Sequence, residues 1–110
     1  MMRRWLVLPA LALWVAVLTV AVQDRAGAQD RADQGRRMFM EQGCHGCHTI
    51  GKMGTPIGPD LSYMGAKRSE EYLKNWLRDP ASQRPSAHMP RLELTEPQIA
   101  VLAAFLASLK

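Results

Sequence analysis

Both cysteines of this 110-residue chain lie in one pentapeptide, Cys44-His45-Gly46-Cys47-His48. Its spacing constrains the fold more than anything else in the sequence. If the run turns helically, Cys44 and Cys47 at i, i+3 and Cys44 and His48 at i, i+4 share one face. Two sulfurs can then bond the vinyl groups along one porphyrin edge while the His48 imidazole swings beneath the iron. A C-x-x-C-H run is therefore read as a covalent attachment site for haem c, with His48 as an axial ligand. A chain built around it must wrap a flat apolar disc.

Three other chemistries use similar cysteines. A thioredoxin-like dithiol sits beside a βαβ pattern, yet after residue 29 no β-branched run is long enough for a buried parallel strand. A zinc site could recruit Cys44, Cys47 and two of His45, His48 and His88, but the second pair lacks finger spacing. A structural disulfide would close a very small loop and gives His48 no role.

Arg3 and Arg4 precede an uncharged apolar stretch, residues 5–22, and then the small residues Ala26, Gly27 and Ala28. This is the order of a secretory signal peptide over residues 1–28, with the haem domain at residues 29–110. The stretch also just reaches membrane-spanning length, so an uncleaved N-terminal anchor is the rival reading. Either way the domain is exported to the periplasm, free or attached to the outer face of the cytoplasmic membrane. Losing Arg3, Arg4, Arg25 and Asp24 would lower the net charge from +4 to +2. The remaining basic residues are scattered rather than striped, which argues against a nucleic-acid partner. At this size an ordinary core supplies only a few kcal/mol, so the apo-protein is expected to be largely unfolded and the bound macrocycle to complete the core.

The pattern of the exported part is all-α, with three to four short helices around one haem. Residues 33–42 read as a helix, with Gly35, Phe39 and Gly43 at i, i+4, i+8 and Gly43 as its stop. Residues 49–65, rich in Gly and Pro, read as a loop. Ser69 caps a helix that carries Glu70 and Glu71 in its first turn and ends before Pro80, with Tyr72, Leu73, Trp76 and Leu77 as its apolar face. A second loop spans residues 80–94. Thr95 and Gln98 then form a capping box for a last helix lined by Ile99, Leu102, Phe105, Leu106 and Leu109.

The second axial ligand decides between a carrier and a gas- or peroxide-binding site, because a thioether closes the iron and raises its potential. Met38 and Met40 lie too close before the motif to reach the far haem face, and core packing is their expected role. Met53 would have to strain around the ring edge, and Met64 borders Gly65 where a gap-filling contact suffices. Met89 lies 41 residues beyond His48, enough chain to wrap the haem, and Pro90 stiffens its backbone. His88 is the alternative ligand. His45, between the cysteines, is expected at the surface or the haem edge.

In this order the residues resemble those of class I c-type cytochromes, the small bacterial monohaem proteins and the cytochrome domains of respiratory enzymes. The likeness covers residues 33–110. It rests on Gly35 and Phe39, the Cys44 to His48 motif, Gly58-Pro59-Asp60-Leu61, Tyr72-Leu73, Trp76-Leu77, Asp79-Pro80, Met89-Pro90 and Phe105-Leu106. The resemblance implies that the Pro59 carbonyl accepts a hydrogen bond from His48 Nδ1 and that Leu61 touches the porphyrin. Gly35 and Phe105 would mark the crossing of the first and last helices, and Trp76 could donate its indole hydrogen to a haem propionate. Arg68 could pair with a propionate too, although an exposed cation before a helix is usually just solvated. The implied function is one-electron transfer, with haem c attached by a maturation machinery and redox proteins as transient partners. No catalysis by the chain itself is expected. Lys52, Lys67 and Lys74 could steer an acidic partner to the haem edge. The other readings are a membrane-anchored subunit of a respiratory oxidoreductase and a five-coordinate gas sensor or peroxidase.

Overall fold

A computed structural model describes residues 7–110, with side chains from residue 12 onward. The basic start of the expected leader, Arg3 and Arg4, and the first apolar residues, Trp5 and Leu6, lie outside the described residues. Helix α1 runs from Val7 to Glu41. It does not begin near Asp33, as the local pattern suggests, because no proline follows Pro9 until Pro56 and Gly27 alone does not break a helix of good formers. The chain divides into two units, the first ending at Asp30 and the second comprising Arg31–Lys110. Within the first, Leu13, Trp14, Val17 and Leu18 are exposed. Among the described residues no helix is long and apolar enough to cross a membrane.

In the second unit the end of α1 packs on the last helix, α5 (Glu96–Ser108). Gly35 permits this crossing, since a Cβ there would collide with the Val101 carbonyl and Phe105 Cβ. One turn on, the Phe39 and Phe105 rings meet edge to face, 5.7 Å between centroids. Gly43, at φ 73°, then turns the chain into a 3₁₀ turn, Cys44–Gly46. The expected loop at residues 49–65 is not wholly irregular. Thr49–Ile50 (β1) pairs antiparallel with Met53–Gly54 (β2) around Gly51 at φ 59°, and Met64–Lys67 forms a short helix, α2. Strands of two residues leave no alternating pattern to read in a sequence.

The Gly65 N–H donates to the Leu109 carbonyl at 2.7 Å, tying α2 to the chain end. Helix α3, Glu70–Arg78, starts where Ser69 Oγ accepts from the Tyr72 N–H at 3.1 Å, and it buries Leu73 and Leu77. Pro80 ends α3 but also opens a further turn, α4 (Pro80–Gln83), inside the expected second loop. A proline at the first helical position lacks only an N–H that would have no partner there. The capping box of α5 is complete: Gln98 Oε1 accepts from the Thr95 N–H at 2.8 Å, and Thr95 Oγ1 from the Gln98 N–H at 3.4 Å. The fold is helical apart from the small hairpin, and its core joins Phe39, Leu61, Leu73, Leu77, Leu102, Phe105 and Leu106. Met38 packs against this core, while Met40 is exposed rather than packed.

Candidate functional site

The segment after α1 builds a platform that begins with backbone bonds. Cys44 O accepts from the N–H groups of Cys47 at 3.2 Å and His48 at 3.0 Å, closing the turn that the five-residue spacing requires. Cys47 O in turn accepts from Ile57 at 3.2 Å and Gly58 at 2.6 Å, so the segment after the hairpin folds back onto the motif. There is no room beyond hydrogen at Gly58, where a Cβ would stand 2.8 Å from His48 Cε1 and 3.0 Å from His48 Nδ1.

His48 Nδ1 lies 2.8 Å from the Pro59 carbonyl oxygen. A carbonyl only accepts, so Nδ1 carries the proton and the Nε2 lone pair is left to bind a metal. Pro59 is itself held by neighbours that no haem motif singles out. Asp60 Oδ1 accepts from Ser62 N at 3.0 Å and Ser62 Oγ at 2.6 Å, and Ser62 Oγ accepts from Gly51 N at 2.7 Å. These bonds from Ser62 hold the Asp60 carboxyl below the usual carboxylate range. The signal for them is the Asp-x-Ser pattern of a local side-chain turn.

Above this platform lies a cavity of about 490 Å³. Cys44, Cys47, His48, Pro59, Leu61, Trp76 and Met89, every site residue expected from the sequence, line it together with core residues such as Phe39, Leu73 and Leu102. His88 and Met64 line it as well. Burial pushes the Cys44 thiol up, which disfavours the thiolate that a redox dithiol would need. The Trp76 indole N–H does not stand free for a propionate. It donates to Met89 Sδ at 3.2 Å, a contact between α3 and the loop before α5 that no local pattern encodes. His45 is half-buried rather than fully at the surface, and its Nδ1 has no partner. Lys74 forms an ion pair with Glu70 at 3.6 Å, so it is less free to steer a partner than its position in the sequence suggests.

Two thiols one turn apart, an imidazole with its Nε2 unprotonated and a thioether, all on one mostly apolar cavity, fit an iron porphyrin attached at its vinyl edge. A sequence profile of the cytochrome c family matches residues 32–110. The chain belongs to the cytochrome c family. Its cofactor is haem c, covalent through Cys44 and Cys47, a group whose chemistry in this family is haem-based electron transfer. The chain is 33% identical over 106 residues to cytochrome c oxidase subunit 2 of Alkalihalophilus pseudofirmus, an alignment covering 88% of this chain and 30% of that protein. It is 35% identical over 98 residues to cytochrome c oxidase subunit 2 of Bacillus sp. (strain PS3), covering 72% of this chain and 26% of the relative. The chain thus spans under a third of the length of these relatives.

Proposed function

We propose that this cytochrome c is an exported one-electron carrier whose iron is held axially by His48 and Met89. The observation that carries the reading is that one cavity is lined by both cysteines, by a His48 whose Nδ1 is spoken for, and by Met89. Haem c supplies an iron that gains or gives up one electron. The protein's part is to keep that iron's surroundings the same in both states. Pro59 fixes the imidazole tautomer and orientation, Trp76 restrains the sulfur, and the leucines and Phe39 exclude water and lower the local dielectric. Held by both His48 and Met89, the iron would have no open position for a substrate. Docking to donor and acceptor is weak and small in area, as electron exchange requires.

An optical spectrum of the ferric protein tests the ligand pair. The weak long-wavelength band of thioether-bound iron should be present in the parent and absent in Met89→Ala. Rapid carbon monoxide binding by the ferrous parent protein would instead mark an open iron and sink the carrier reading.

A second reading draws on the oxidase-subunit relatives: the domain is a fixed subunit of a respiratory complex, tethered by its leader. The mass of the native protein separates the two, because a soluble carrier cleaved after Ala28 starts at Gln29 and a tethered subunit keeps the leader.

A further inference from the structure

The strand of chain that carries the Pro59 carbonyl is pinned to the residues at and after His48 in three successive places. The Pro59 carbonyl oxygen lies 2.8 Å from His48 Nδ1, the Leu61 N–H donates to the Thr49 carbonyl at 2.8 Å, and Ser62 Oγ accepts from the Gly51 N–H at 2.7 Å. The imidazole bond is the first rung of this ladder. The middle rung is secured from the core as well, because the Leu61 side chain is buried. The last rung hangs on one hydroxyl. Ser62 Oγ gives its single hydrogen to Asp60 Oδ1 at 2.6 Å while its lone pairs take the Gly51 N–H, and Asp60 Oδ1 also accepts from the Ser62 N–H at 3.0 Å. Bonds to an ionised carboxylate are stronger than neutral ones, so Asp60 fixes which way the hydroxyl points. Without that hydroxyl, water can satisfy the Gly51 N–H, but it does not tie Gly51 to residue 62.

We propose that Ser62, oriented by Asp60, is a positioning residue that holds the Pro59 carbonyl on His48 Nδ1 and thereby sets the haem potential. The proposal rests on His48 being an axial ligand and is indifferent to Met89. A firmly held acceptor makes the imidazole a better electron donor, which favours the ferric state with its extra positive charge. Loosening the ladder therefore raises the potential. Mere opening of the site does the reverse, because admitted water favours the more highly charged ferric iron. The sign separates the two.

The test uses full-length holoprotein with Ser62→Ala, Ser62→Thr and, as a comparator that loses the α5 cap off the cavity, Thr95→Ala. Magnetic resonance of the ferrous protein reads how fast the His48 Nδ1 proton exchanges with deuterium, and a redox titration reads the midpoint potential. In Ser62→Ala the exchange should quicken about two- to tenfold, the weight of one intramolecular hydrogen bond, and the potential should rise. Ser62→Thr keeps the hydroxyl, so it should match the parent in both, as should Thr95→Ala. If Ser62→Ala yields no holoprotein, Asp60→Asn serves through exchange alone: its neutral amide holds the hydroxyl more weakly, and the Nδ1 proton should still exchange faster than in the parent. Parent-like exchange in the variant used, or a potential that stays or falls in Ser62→Ala, overturns the proposal. So does a failure of Ser62→Thr to restore the parent values, or an equal change in Thr95→Ala. The upfield displacement of the His48 ring protons by the porphyrin, read on the same parent sample, reports the axial assignment separately. Its absence sinks that assignment, whereas its presence with parent-like exchange in Ser62→Ala sinks the role of Ser62 alone.

Discussion

The two sides of the haem cavity are built in opposite ways. The His48 side is a short-range weave in which the motif, the hairpin and the Gly58 to Ser62 segment are cross-linked by backbone bonds and by the Asp60–Ser62–Gly51 relay. On the Met89 side, no backbone–backbone hydrogen bond reaches Met89 among the described residues, and the Trp76 indole is the donor on its sulfur. His48 is positioned by its own neighbourhood and Met89 by a partner on a distant helix. Disturbance should therefore reach the sulfur first and the imidazole last.

Removing each of these two side chains in turn is the largest perturbation. His48→Ala should leave little mature holoprotein, measured as haem per polypeptide, while Met89→Ala should keep its covalent haem and lose only the thioether band. Equal haem loss in both would erase the contrast. Next is Gly58→Ala, whose methyl has no room beside the imidazole; overpacking of this kind costs about 1–3 kcal/mol in a denaturant titration. A parent-like midpoint would mean that the platform yields more easily than its bonds imply.

Trp76→Phe removes one hydrogen bond to sulfur while keeping the aromatic bulk. A bond of this kind contributes roughly 0.5–1.5 kcal/mol, so the thioether band should disappear at lower denaturant than in the parent, and well before haem-domain unfolding. Coincident loss of the two signals would show that the sides are not separable. The smallest effect is acid sensitivity on the platform. Asp60 is held below the usual carboxylate range in the folded state, so the unfolded chain binds more protons as the pH falls. Its contribution is complete above the ordinary aspartate pKa of about 3.9 and is lost as the pH drops through the lower folded value. Urea midpoints from pH 6 to pH 3 should fall, and Asp60→Asn should flatten that fall. Glu96, held low by Arg78 across α3 and α5, adds a slope of the same sign that Asp60→Asn leaves in place.

This division also marks what a linear reading can reach. The attachment turn, the Ser69 cap and the Thr95–Gln98 box all follow from residues at fixed offsets, whereas the Gly35–Phe105 crossing is legible only through the family resemblance. The true start of α1, the two-residue strands and the helical turn after Pro80 escape because each is decided by length or by tertiary support rather than by a pattern. The Trp76 partner escapes for a stronger reason. An indole on α3 and a sulfur in a loop thirteen residues on meet only once both have closed over the same cavity.

The ring contact between Phe39 and Phe105 has a consequence for the order of assembly. One ring precedes the attachment motif and the other comes from α5, which also lines the cavity with Leu102 and Leu106, so the cavity gains this side only after α5 has been made. The motif itself is complete within five residues and can be recognised on an open chain. Tethering can thus come first, and enclosure must wait for α5.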